Sequence, residues 1–123
     1  MSSAQRDGRS GMTDLFAGLA VTDYDRGVAW VERLLGRPRA FDAHNTECVF
    51  ELAEHRYLYV VLAPEHAGHA MITVFLDDLD TFLAAASARG VEPATSETYG
   101  NGVRKAIFRD HDGNEIGFGG GPA

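Results

Sequence analysis

Cysteine and long apolar runs are scarce in this sequence of 123 residues. Its single cysteine, Cys48, excludes an intramolecular disulfide, and nothing in the composition indicates an oxidising compartment. No apolar run approaches the roughly 20 residues that span a bilayer, and no charged start precedes a signal-type apolar segment. We therefore expect a cytoplasmic protein with no membrane partner.

Positive charge is also in short supply. Eleven Lys and Arg stand against 18 Asp and Glu, which gives a formal net charge of -7. Binding to nucleic acid needs clustered cations, so the charge balance disfavours it. The balance favours a neutral or cationic small molecule as partner. The sequence also has no Gly-x-Ser-x-Gly elbow, Walker loop or paired-cysteine motif.

The composition is that of a folded domain. Hydrophobic residues make up 45% of the chain and charged residues 24%, as in ordinary globular proteins. Residues 1–11 have almost nothing apolar to bury and are predicted to be a disordered tail. Residues 12–123 are predicted to form a single domain.

One pattern of elements occurs twice along this domain. In module one, residues 12–63, a strand at 15–21 precedes a helix that Asp23 caps and Gly36 ends, and three short strands follow. After a linker at 64–69, module two, residues 70–120, repeats this order, with Asp78 as the helix cap at an offset of 55 residues from Asp23. We therefore predict an α+β fold of two tandem strand-helix-three-strand modules.

The helices must lie outside the sheets. The second helix has an apolar stripe that needs its own sheet as partner; it consists of Leu79, Phe82, Leu83 and Ala86. Each sheet is then left with one face that can enclose a ligand. The expected architecture is a curved mixed β-sheet half-barrel with the helices outside.

Several short segments carry a family resemblance. They are Val-Thr-Asp-Tyr-Asp at 21–25, Leu-Leu-Gly at 34–36, Leu-Asp-Asp-Leu-Asp at 76–80, Arg-Gly-Val at 89–91 and Asp-His-Asp-Gly-Asn at 110–114. Together they resemble the vicinal oxygen chelate superfamily, which includes glyoxalases, extradiol dioxygenases, epimerases, fosfomycin thiol transferases and bleomycin-type resistance proteins. The resemblance implies the half-barrel fold and a homodimer whose subunits close the site. It leaves the function open, since one fold serves many chemistries.

The resemblance also locates the positions where enzymatic members bind a metal ion. Three of them map to Phe16, Met71 and Gly117, and the fourth, less securely, to Tyr59. A phenyl ring and a glycine cannot coordinate a metal ion, and a thioether suits Cu(I) better than the harder ions of such enzymes. We therefore predict no metal and no other cofactor.

A shifted set of ligands is the alternative. Asp14, His69 and Glu115 each lie two residues before one of these positions and would offer two carboxylates and an imidazole. If the first strands of the two modules run antiparallel, this shift separates their side chains by roughly 13 Å more, too far for one ion. The other histidines lie mostly in predicted turns, and His66 and His69 flank Gly68 in the linker.

Aromatic and small residues remain to define a binding surface. Phe16 and Met71 make its floor apolar, and Gly18 leaves volume there. Gly117 and six aromatic residues complete the set of predicted ligand-binding residues, and the aromatic rings are expected to hold an aromatic guest. The six are Phe50, Tyr57, Tyr59, Phe75, Tyr99 and Phe108. Tyr99 is the candidate lid residue.

The one local cluster of cations is Arg104, Lys105 and Arg109. Lys105 and Arg109 share one face of their strand. We expect a solvated outer face here, with an anion-binding site as the alternative.

The predicted function is metal-independent binding and sequestration of an aromatic or natural-product-type molecule, as in antibiotic self-resistance. One alternative is a metal-free enzyme acting on a polyketide-type substrate, with Tyr59, His44 or Glu115 as acid or base. The second alternative is a divalent-metal enzyme of the glyoxalase or dioxygenase type.

Overall fold

A computed structural model describes residues 11–122, so the predicted tail lies outside the described residues except for Gly11. Module one contains β1 (Leu15–Val21), α1 (Tyr24–Leu35), β2 (Phe41–His44), β3 (Glu47–Ala53) and β4 (Arg56–Leu62). A short 3-10 helix, Pro64–His66, lies in the linker. Module two contains β5 (Met71–Phe75), α2 (Leu79–Ala88), β6 (Thr95–Thr98), β7 (Arg104–Arg109) and β8 (Glu115–Gly120).

Each module forms its own four-stranded mixed sheet. In sheet one the strand order is β1-β4-β3-β2, and in sheet two it is β5-β8-β7-β6. The pairs β1–β4 and β5–β8 are parallel, and the remaining pairs are antiparallel. The predicted α+β fold with two strand-helix-three-strand modules is therefore confirmed, and the two sheets do not close into a barrel.

The helices begin and end where the sequence predicts. Asp23 and Asp78 are N-caps whose carboxylates accept hydrogen bonds from the backbone N–H groups of Arg26 and Thr81, which satisfies donors that the first helical turn leaves free. Gly36 ends α1 in the left-handed conformation, with φ of 71°, where a side chain would be strained. Neither of the helices in the described residues is long and apolar enough to cross a membrane.

Both helices pack on their own sheets, and this gives each sheet two distinct faces. The buried core lies on the helix side and includes Leu19 and Val60 of sheet one and Ile116 and Phe118 of sheet two. We call the opposite side of each sheet its open face. Side chains alternate between the two faces along every strand, so Phe16 and Gly18 lie on the open face of sheet one.

A buried asparagine joins the modules. Asn114 accepts hydrogen bonds from the backbone N–H groups of Gly68 and Ala70, at 3.1 and 3.0 Å, and donates to Ala20 O and to the Asp110 carboxylate. It has no exposed surface. The turn before β8 is thereby joined to both the linker and the end of β1.

Candidate functional site

The open face of sheet one carries a stacked pair of aromatic rings. Phe16 on β1 and Tyr57 on β4 are cross-strand partners, and their ring centroids lie 4.6 Å apart with an interplanar angle of 17°. Phe16 is still 47% exposed. The pair is therefore a preformed aromatic surface that a planar molecule can extend.

The space above Gly18 is filled by a tyrosine. A Cβ atom at Gly18 would lie 2.5 Å from the Tyr59 ring and from its hydroxyl oxygen. Gly18 thus permits Tyr59 to lie flat across β1, and the volume predicted at this glycine is occupied by the phenol. Beside it is a cavity of about 390 Å³ whose lining includes Tyr59, His66 and His69.

Negative charge surrounds this aromatic surface. Glu47 and Glu51 on β3 pair in register with Val61 and Tyr57, which places both carboxylates on the open face of sheet one. Partial desolvation raises the pKa of Tyr57, and the negative charges of Asp14 and Glu51 raise it further. Tyr57 is therefore a neutral hydrogen-bonding group at physiological pH.

On the open face of sheet two, two side chains lie across glycines of β8. A Cβ atom at Gly117 would lie 2.6 Å from Lys105 Cε, and one at Gly119 would lie 3.1 Å from the Phe75 ring. Arg109 forms an ion pair with Glu115 at 3.0 Å. Lys105 and Arg109 lie on the side that the helices leave uncovered, and the solvated face and its anion-binding alternative both stay predictions.

Two predicted ligand-facing aromatics belong to the core. Phe50 has no exposed surface and Phe108 is 1% exposed. Phe108 packs edge-to-face against Phe118, with centroids 5.8 Å apart, under α2. Each residue sits one position out of phase with the open face of its strand, so neither can line a ligand site in this conformation.

The remaining predicted contacts are exposed but not all close together. Met71 and Phe75 lie on β5, at the edge of sheet two. Tyr99 lies in the loop between β6 and β7, where its backbone N–H donates to Val103 O at 2.8 Å. Its lid role stays a prediction.

The family's metal positions do not suit a metal ion in this chain. They hold the ring of Phe16, the phenol of Tyr59 over Gly18, the thioether of Met71 and the stem of Lys105 over Gly117. The Lys105 ammonium group beside the Gly117 position would repel a cation rather than bind one. The donor set therefore does not fit the divalent ions of the enzymatic relatives.

The shifted ligand set does not assemble either. Asp14 Oδ1 accepts a hydrogen bond from His55 Nδ1 at 3.0 Å, and Glu115 is paired with Arg109. His69 and Ala20 line the same cavity. Ala20 is six residues from Asp14, about 20 Å along an extended strand, so His69 is far from Asp14. Among the described residues, no three His, Cys, Asp or Glu side chains are placed to hold a metal ion.

Cys48 is buried beneath the sheet. Burial raises the pKa of its thiol, and a hydrogen bond with the Tyr24 hydroxyl only partly offsets this. Its side chain has no exposed surface, so it is a core thiol rather than a nucleophile.

Comparison with known proteins identifies the family. The family model for the Glyoxalase/Bleomycin resistance protein/Dioxygenase superfamily matches residues 14–118. A glyoxalase/bleomycin resistance protein from Catenulispora acidiphila DSM 44928 is 54% identical, with a TM-score of 0.86 over 89% of this chain and 98% of that chain. No curated protein matches the chain. The chain belongs to this superfamily.

More distant structures share the fold alone. A lactoylglutathione lyase from Agrobacterium tumefaciens is 17% identical, with a TM-score of 0.72 over 87% of this chain and 92% of that chain. FosX, a fosfomycin resistance protein from Listeria monocytogenes, is also 17% identical, with a TM-score of 0.66 over 87% of this chain and 91% of that chain. One is an enzyme by name and the other a resistance protein, so the fold does not select the function.

Two features of these faces were missed by reasoning from the sequence. The first is the position of Lys105 over Gly117, for which the alternating glycines of β8 were the available signal. The second is the shared cavity of Tyr59, His66 and His69, which depends on the path of the linker. Only the folded chain brings these residues together.

Proposed function

We propose that this protein binds an aromatic small molecule without a metal ion and sequesters it, as an antibiotic self-resistance protein does. The observation that carries the proposal is the exposed stack of Phe16 and Tyr57 at the position where enzymatic relatives begin their metal site. Stacking on preformed rings gives affinity without coordination, because the rings need little ordering when the guest arrives.

The negative charge on the open face of sheet one favours a guest whose contacting part is neutral or cationic. Glu47 and Glu51 lie on this face, and no Lys or Arg occupies the strand positions that share it in the described residues. A cation held over an aromatic face near carboxylates gains both cation–π and ionic attraction.

A homodimer would complete the site. The edge strands β1 and β5 carry exposed apolar side chains: Leu15 is 71% exposed, Met71 81% and Phe75 65%. Between these strands lies an apolar groove of about 510 Å³. Exposed apolar edges of this kind usually meet a partner, and a second copy of the chain is the partner that the family resemblance implies.

A second function is metal-free acid–base catalysis. The cavity shared by Tyr59, His66 and His69 favours it, since imidazoles and a phenol can move protons within one site.

One experiment separates these functions. Untagged protein is dialysed against a panel of polycyclic aromatic antibiotics, and each compound is then recovered and analysed by mass spectrometry and chiral chromatography. Sequestration predicts that at least one compound is retained and recovered with its mass and stereochemistry unchanged. A chemically altered compound would support catalysis, and retention of none would contradict aromatic capture. Sedimentation equilibrium on the same sample measures whether the particle has twice the mass of one chain.

A further inference from the structure

The open face of sheet two holds the only lysine in the chain. The sequence contains ten arginines and one lysine, Lys105. The Lys105 stem crosses β8 at Gly117, where a Cβ atom would lie 2.6 Å from Lys105 Cε and 3.5 Å from Nζ. A larger residue at 117 would displace the stem, so the glycine permits this placement of the ammonium group.

An aromatic ring lies on the same face of sheet two as this ammonium group. Phe75 crosses β8 at Gly119, where a Cβ atom would be 3.1 Å from its ring. Gly117 and Gly119 are two residues apart on one strand, a distance of about 7 Å. The ring remains 65% exposed. A cation and an aromatic face thus lie on the same surface, over glycines two residues apart.

No ion pair within the described residues involves Lys105. Arg109 and Glu115 pair with each other at 3.0 Å. Glu97 is the cross-strand partner of Lys105. Thr73 is the register partner of Gly117 and is exposed, so its hydroxyl is a second donor beside the ammonium group.

From this arrangement we infer that the open face of sheet two is a binding site for aromatic anions. The ring of the ligand lies against Phe75, and its anionic oxygen, such as a carboxylate, sulfonate or phenolate, accepts a hydrogen bond from Lys105. The inference deepens the proposed function, on which it rests, because it specifies a chemical group of the captured molecule. Sheet one, with its carboxylates, would meet a neutral or cationic part of the same guest.

Two fluorescent probes test the inference. They are 8-anilinonaphthalene-1-sulfonate and N-phenyl-1-naphthylamine, which share one ring system and differ only in the sulfonate. Lys105→Met keeps the length of the stem and removes the charge. Because hydrogen bonds to charged groups are strong, we expect this variant to lose about 10-fold in affinity for the sulfonate probe. Its affinity for the neutral probe should stay within about 2-fold of the wild type, since the ring contacts remain.

Arg104→Met is the matched control. It removes the same unit of charge from the neighbouring position, but Arg104 lies on the helix side, where it is paired with Asp80 at 2.7 Å. An equal loss of sulfonate affinity in both variants, or no loss in Lys105→Met, would overturn the inference. If neither probe binds the wild type, aromatic capture itself fails. If the wild type binds only the sulfonate probe, and Lys105→Met loses that binding, the anion site on sheet two is supported and the capture of neutral aromatic molecules is contradicted.

Chemical modification provides a test that needs no variant. Since Lys105 is the only lysine, acetic anhydride can modify one side-chain amine, and peptide mass spectrometry separates it from the N-terminus. Saturating sulfonate probe should slow acetylation of Lys105 several-fold, and unchanged acetylation would contradict the inference.

Discussion

Phe16 and Tyr57 lie face to face on the open face of sheet one, with ring centroids 4.6 Å apart. They are register partners on two parallel strands, so the backbone itself sets their separation. Phe16 stands where the family resemblance locates the first metal ligand. At this position the chain presents a hydrocarbon ring, and the attraction available to a guest is stacking and apolar burial.

Removing the Phe16 ring should weaken aromatic binding. We expect Phe16→Ala to reduce affinity for N-phenyl-1-naphthylamine by about 10-fold, because it deletes one ring of the stack and exposes the other. Fluorescence titration measures the change.

Phe41→Ala is the control for this variant. Phe41 is 50% exposed, much like Phe16, and lies on the outer strand of the same sheet, but no aromatic ring of residues 11–122 stacks on it. Its affinity should stay within about 2-fold of the wild type, since an unstacked ring three strands away contributes little. Equal losses in the two variants would show that the probe binds any exposed ring.

The fold could be read from the sequence because its signals are local. Asp23 and Gly36 mark the ends of one helix, and the repeat of Asp23 at Asp78 reveals the second module. The faces of β1 and β5 followed from alternation, which places Phe16 and Met71 correctly. Phe50 and Phe108 were misassigned, because a bulky residue in a short strand gives no sign of which side the helix covers.

The side chains that lie across glycines of a neighbouring strand could not be predicted from the sequence, because their positions depend on tertiary packing. The placement of Tyr59 over Gly18, and of Lys105 over Gly117, requires knowing which strands are neighbours. The sequence order does not reveal that β4 inserts between β1 and β3, or β8 between β5 and β7.

Asn114 should be the most sensitive polar residue at the module junction. Asn114→Ala leaves the N–H groups of Gly68 and Ala70 without their side-chain acceptor, and we expect a loss of about 3 kcal/mol in the free energy of unfolding. Asn101→Ala, which removes one exposed hydrogen bond to Val103 N, should cost less than about 1 kcal/mol. Urea denaturation compares the two, and similar costs would contradict the role given to Asn114.

Gly68 should not tolerate a side chain. Its φ of 88° is left-handed, and a Cβ atom would lie 2.6 Å from the backbone oxygen of Asp112. We expect Gly68→Ala to destabilise the fold by about 2 kcal/mol or more, because neither the conformation nor the backbone neighbour can adjust cheaply. Gly100→Ala, where a Cβ atom meets open space, is the control, and thermal unfolding of both variants should separate them clearly.

Cys48 makes stability fall at alkaline pH. Burial raises the pKa of its thiol above the ordinary 9.0, so above pH 9 the unfolded chain releases a proton that the folded chain retains. This contribution to stability is complete below pH 9 and is lost as the pH rises towards the pKa of the folded state. Urea denaturation from pH 7 to 10.5 should show the decline.

Cys48→Ala should make that decline shallower without abolishing it, because burial also raises the pKa of the Tyr24 hydroxyl. A variant that keeps the full slope would contradict the assignment to the thiol. Iodoacetamide should leave Cys48 unmodified in the folded protein at pH 8 and label it in urea.

The most direct test of metal-free capture is a titration of untagged, chelator-treated protein with N-phenyl-1-naphthylamine, repeated after one equivalent of Zn²⁺, Mn²⁺ or Fe²⁺ is added. We expect the same affinity in every sample, because Phe16 and Tyr57 hold the guest through their rings. Binding that appears only when one of these ions is restored would contradict it.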